Sequence, residues 1–150
     1  MYHFKECGLD NIHLKNGYSV IETAEGKAVS IKDIDSLHRA IAQCIIKKDE
    51  SISGKEFRFL RIELDLSQKA IGKLMEYTDQ TIAKWEKGAE PVPVLADKAI
   101  RDLYVEKEGG GIIAGLLKRL SEVDRQLHEI KLEIELKEQD RSWHVLSMAC

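Results

Sequence analysis

Ser67–Gly88 reads SQKAIGKLMEYTDQTIAKWEKG, and it restricts the fold more than any other stretch of the chain. Ala70, Ile71 and Leu74 fall on one face of a first short helix, at i, i+1 and i+4. Ile82 and Trp85 fall on one face of a second, at i and i+3. Ser67 is placed to cap the first helix and Thr78 the second. Helices this short do not persist alone in water, because nucleation costs more than a few hydrogen bonds return. They need a shared core and a fixed angle. A helix-turn-helix meets both needs and leaves the start of the second helix projecting, the geometry that enters a DNA major groove.

The remaining composition bounds the setting. The chain has 150 residues, 43% hydrophobic and 33% charged, enough apolar material for one domain or two small ones. The apolar runs are too short to cross a bilayer, and no secretory signal opens the chain, so a cytoplasmic protein without a membrane partner is expected. Three widely spaced cysteines, Cys7, Cys44 and Cys150, do not form a disulfide framework. The net charge is −3. Residues 51–104 carry nine Lys/Arg against nine Asp/Glu, so a DNA reader here must use a local basic edge and not a global field.

Taken in order, residues 1–31 read as β structure. Asn16-Gly17 predicts a type I′ hairpin, and a second turn at Thr23–Gly26 leads to a strand at Lys27–Ile31. Ile34, Leu37, His38, Ile41 and Ile45 predict a helix reaching about Lys47. Cys44 lies near its apolar side, so a buried thiol is expected. Lys47–Gly54 reads as a linker. Ser53 with Glu56 is a capping-box pattern opening a helix whose buried stripe is Phe57, Leu60 and Leu64. After the helix pair, Glu90–Pro93 breaks the chain. Ala96, Ala99, Ile100, Leu103 and Tyr104 then make a further amphipathic helix. Gly109–Gly111 reads as a hinge. Beyond it, Ile113, Leu116, Leu120, Val123, Leu127, Ile130 and Ile134 keep alternating spacings of 3 and 4, a heptad seam expected to join two copies in a coiled coil, the alternative being a helix that packs back on its own chain. The tail Arg141–Cys150 shows no clear pattern. The expected fold is mainly α with a small N-terminal α+β unit, a helix-turn-helix bundle and a C-terminal coiled-coil-like helix. The expected divisions are 1–50, 51–108 and 109–150.

With RxxLxLSQxxIxxLM followed by TxQTIxxWEKG, residues 53–104 resemble the Cro/C1-type (XRE-like) helix-turn-helix. The resemblance implies a structural ion pair between Arg61 and Glu86, joining the helix before the pair to the end of the recognition helix. It matches Leu66-Ser67-Gln68 to the entry of the second helix and Trp85–Gly88 to the exit of the third, where Gly88 takes a left-handed cap. The layout of the whole chain is similar to MqsA-like type II antitoxins. Those carry an N-terminal zinc knuckle of CxxCG pairs. Here Cys7-Gly8 stands at one such position, Phe4 occupies the partner position and there is no second CxxC. The likeness therefore implies DNA binding more strongly than it implies a toxin partner.

Direct readout needs polar side chains on the exposed start of the recognition helix, here Asp79, Gln80, Thr81 and Lys84 beside the cap Thr78. Gln80 and Lys84 are one turn apart on one face. By pairing chemistry Gln favours adenine and Lys favours guanine. The family's base-contacting positions fall on Asp79, Gln80 and Lys84. Asp79 suits the helix N-terminus better than a base edge. Gln68, Lys69 and Lys87, with helix-end N–H groups, are the expected phosphate contacts. His3, Cys7 and His13 are too few and too irregular for a structural zinc site, so no metal or cofactor is expected. Neither Cys7 nor Cys44 has a catalytic signature around it, and there is no phosphate-cradling loop, so an enzyme is not expected. The functional expectation is a dimeric, sequence-specific DNA-binding regulator acting on a double-stranded operator, with an antitoxin as one subtype. The alternative is an adaptor that uses the same fold for assembly.

Overall fold

A computed structural model describes residues 1–109 and 133–149. In chain order the elements are β1 (Tyr2–His3), β2 (His13–Leu14), β3 (Tyr18–Thr23), β4 (Gly26–Ile31), α1 (Ile34–Ile46), α2 (Gly54–Glu63), α3 (Gln68–Met75), α4 (Asp79–Glu86), α5 (Val94–Gly109), β5 (Glu133–Gln139) and β6 (Ser142–Ala149). The strands form three separate two-stranded antiparallel sheets, β1–β2, β3–β4 and β5–β6. This corrects the expected fold class: the chain is mixed α/β, with β structure at both ends, and not mainly α with a C-terminal coiled coil. Among the described residues no helix is long and apolar enough to cross a membrane.

The hairpin expected at Asn16-Gly17 does not form. β2 pairs with β1, bringing Leu14 opposite Tyr2, and the long hairpin closes at the second expected turn, between Thr23 and Gly26. Gly17 does take a positive φ of 77°, and its carbonyl accepts the amide of Lys32, so it steers the chain between sheets. The reason is the core. Phe4, Leu9 and Leu14 are buried in the same apolar cluster as the helices, which holds β1 and β2 down. β3 and β4 stand largely exposed.

Helix α1 starts at the cap Asp33 and buries Ile41, Ala42 and Ile45. Cys44 is exposed, contrary to the expected buried thiol, because the buried stripe of α1 is Ile41, Ala42 and Ile45, and Cys44 falls outside it beside exposed Gln43. His38 lies between the rings of Phe4 and Phe59, and its Nδ1 is 3.0 Å from the Glu63 carboxylate, tying α1 to α2.

Helix α2 opens with the expected capping box: Ser53 accepts from the Glu56 amide, and Glu56 accepts from the Ser53 amide. Burial alone would raise the Glu56 carboxyl. Bonds from Lys48 Nζ at 2.8 Å and from Ser53 outweigh it and hold the group below the usual carboxylate range. Gly54 is needed where α2 meets α4, since a Cβ there would lie 1.8 Å from the Trp85 carbonyl oxygen.

Lys47–Gly54 is stitched to α5. Buried Asp97 accepts the Ile52 amide at 3.1 Å and pairs with Arg101 one turn on. Arg101 also donates to the carbonyls of Ile46, Lys48 and Glu50, so one guanidinium holds the end of α1 and the segment after it. One contiguous core results, running from Phe4 to Tyr104.

β5 and β6 are joined by Asp140-Arg141, both at positive φ, the backbone of a two-residue hairpin turn. Ile134, expected as the last position of the heptad seam, is instead paired with Met148 across this ladder. Ile134/Leu136 and Trp143/Val145 repeat with period two, the strand period, in a segment where a helical spacing also fits Ile134. The other seam positions, Ile113, Leu116, Leu120, Val123, Leu127 and Ile130, lie outside the described residues.

Candidate nucleic-acid interface

The helix pair is set by its ends. Ser67 accepts the Ala70 amide at 3.0 Å and starts α3. At the other end Glu76 adopts the left-handed conformation, φ 62°, and the Tyr77 amide folds back onto the Gly72 carbonyl at 2.8 Å. Gly72 is required here, because a Cβ would meet the Tyr77 carbonyl oxygen at 2.5 Å. Two residues later Thr78 caps α4, accepting the Thr81 amide at 3.2 Å. α4 leaves through Gly88 at φ 77°, with the Gly88 and Ala89 amides returning to the carbonyls of Trp85 and Lys84.

Helix α4 is anchored on one side and open on the other. Ile82 and Trp85 are buried, and Trp85 meets Phe57 and Tyr77 edge-on with ring centroids 5.5 and 4.7 Å apart. Leu74 sits at the rim, partly exposed, while Ile71 carries the contact of α3 with the core. Thr78, Asp79, Gln80 and Lys84 are exposed, and Thr81 is half-buried. Asp79 accepts the Gln80 amide at 3.0 Å, so its carboxylate serves the helix N-terminus. The Thr78 and Thr81 hydroxyls bond to one another at 3.0 Å. Among the described residues the exposed Gln80 side chain forms no hydrogen bond to the fold, whereas Lys84 lies 3.9 Å from Glu90, both well exposed. This last contact is loose enough to exchange for a phosphate or a base edge.

The Arg61–Glu86 pair is bidentate, Nε to Oε2 at 2.7 Å and Nη2 to Oε1 at 2.9 Å, and both side chains are nearly buried. Arg61 Nη1 also donates to the Leu66 carbonyl, which fixes the entry to α3. Gln68, expected at a phosphate, donates instead to Glu86 at 3.2 Å. Arg58 approaches the same carboxylate to 3.8 Å. Glu86 therefore gathers α2, α3 and α4 at one point. Lys69 is exposed at the start of α3. Lys87 is the exposed C-cap of α4, three residues beyond Lys84, and it lines a shallow pocket together with Leu9, Asp10 and Gly54.

Two features escaped the sequence reading. Arg58 adds charge to the Glu86 site, and nothing in its spacing marks it. Asp97 and Arg101 were legible as an i, i+4 pair on α5, but their reach to the segment before α2 depends on tertiary placement. At the N-terminus His3 and His13 stack with ring centroids 4.5 Å apart, His3 Nε2 is 2.5 Å from the Asp10 carbonyl, and Cys7 Sγ points to the Phe4 carbonyl. Among the described residues no group of three or more His, Cys, Asp or Glu is gathered as a metal site would require.

No protein-family model, curated protein or solved structure matches this chain.

Proposed function

We propose that this chain is a sequence-specific DNA-binding regulator of the Cro/C1 type that reads the major groove with α4. The observation that carries the reading is the two-sided character of that helix. Its inner side is locked by Ile82, Trp85 and the Glu86 cluster, and its outer side presents Asp79, Gln80 and Lys84 from a capped N-terminus. A base-reading helix needs both properties: a fixed axis, and polar side chains that are not consumed by the fold. Gln80 is the adenine reader, Lys84 the guanine reader, and Lys69 a phosphate contact. Gln68 acts indirectly, by holding Glu86.

The test is selection of bound duplexes from a randomised pool, followed by titration against salt. The logarithm of affinity should fall steeply with the logarithm of salt concentration. Gln80→Ala and Lys84→Ala should each cost about 1–3 kcal/mol on the selected site and relax the preferred base. Lys69→Ala should weaken all sequences alike and reduce the salt slope by about 1. Unchanged affinity in both recognition-helix variants would defeat the assignment.

The balanced charge of residues 51–104 favours one competing reading, an adaptor that uses this fold for assembly. It predicts no enriched sequence and no salt dependence.

A further inference from the structure

The C-terminal hairpin has a sidedness that the DNA reading does not use. Residues directly opposite in an antiparallel ladder share a face. Leu136 faces Val145 and Glu138 faces Trp143, and these four occupy one side. On the other side Lys137 faces His144, Gln139 faces Ser142 and Glu135 faces Ser147. One face is thus apolar and aromatic, and the other is polar. The one charge on the apolar face, Glu138, lies at the tip, where its carboxylate accepts the Arg141 amide. The apolar face is open: Trp143 is 69% exposed, Val145 61% and Leu136 54%, and Leu146 at the bulge is 60% exposed.

A lone two-stranded hairpin is marginal in water. It needs further strands or a packed face to hold its shape. We propose that a second copy of this chain covers the apolar face, two hairpins packing face to face with Trp143 at the centre of an isologous contact. Charge argues against nucleic acid or an anionic bilayer as the occupant: residues 133–149 hold four Asp/Glu against two Lys/Arg, net −2. Size fits a self-contact. An aromatic side chain buries about 150–250 Å², so the four exposed side chains offer on the order of 400 Å² per copy and about 800 Å² for the pair. That area falls below the roughly 1,000 Å² of a stable specific interface, so the contact is a transient one and the dimer should dissociate on dilution. The self-contact stands independently of the DNA reading. It also supplies a two-fold partner without the heptad seam.

The test uses the full-length protein in sedimentation velocity over a dilution series, with tryptophan emission read in parallel. Trp85 is buried in the core throughout, so a shift in emission on dilution reports Trp143. The wild-type protein should pass from dimer to monomer as emission moves to the red. Trp143→Ser and Val145→Lys should each raise the dissociation constant by about 30-fold or more, with helical circular dichroism unchanged. His144→Ser, on the polar face, should leave it unchanged. Three outcomes overturn the proposal: a dimer indifferent to both apolar-face variants, a monomer at every concentration with red Trp143 emission, and a monomer with blue emission. The last would mean that the face is covered within one chain.

Discussion

Replacing Glu86 by alanine tests the reasoning at the point where three helices meet. The substitution removes two charge-assisted bonds from Arg61, at 2.7 and 2.9 Å, and the 3.2 Å bond from Gln68. The Arg61 side chain is only 11% exposed, so its guanidinium cannot recover full hydration in place, and its remaining acceptor is the Leu66 carbonyl. Stranding one partner of a buried pair costs about 3–5 kcal/mol. For a folded unit of this size 1 kcal/mol moves the melting temperature by about 4 °C, so a fall of about 12–20 °C is expected. Glu90→Ala is the matched control. Its contact to Lys84 is 3.9 Å and exposed, and its removal should cost less than about 1 kcal/mol. Thermal melts followed by far-ultraviolet circular dichroism read both. DNA affinity should fall with the Glu86 variant because α4 loses its fixed axis. A Glu86→Ala protein that melts within a few degrees of wild type would refute the structural role of the pair. If such a protein also lost DNA binding, the carboxylate would have to act at the interface itself.

Asp97→Ala should loosen the segment before α2, since it removes the acceptor of the Ile52 amide and the partner of Arg101 together. A loss of about 3–5 kcal/mol is expected in urea unfolding, and amide exchange should rise at Ile52. Tyr104 gives a pH signature. Burial first, then the charges of Glu108 and Glu63, push its hydroxyl up to about 12, against a smaller opposing effect of Arg39. A folded-state value above the unfolded one near 10 means that this stabilisation is complete below pH 10 and is lost as pH rises through about 12. Absorbance of tyrosinate should therefore show Tyr104 ionising near pH 12, together with loss of helical signal. Its ionisation near pH 10 with the helical signal intact would count against the buried setting.

Helix ends and core faces were written locally. Ser53, Ser67 and Thr78 each combine a short side-chain acceptor with an apolar period of 3.6 behind it, and each caps a helix as its position implies. Capping involves residues three apart, so sequence spacing carries it. The same locality misled at Asn16-Gly17. Those residues favour a tight turn, but β2 is only two residues long and is held by Leu14 in the core, so pairing went to β1. It misled again at Ile134, where one residue satisfies both a heptad and a strand alternation. There the cross-strand ladder with Ser142–Ala149 decided.

The sequence by itself determined the helix pair: where α3 and α4 begin, which of their side chains face inward, and which polar residues stand at the front of α4. Each of these depends on residues within one or two turns. Only the tertiary structure decided that Gln68 turns to Glu86, that Arg101 binds the carbonyls of Ile46, Lys48 and Glu50, and that the chain's end is a hairpin with one apolar face. Those outcomes join residues up to 55 positions apart or depend on strand pairing. Their physical cause is that buried polar groups must find partners, and which partners come within reach is set by packing, not by spacing along the chain.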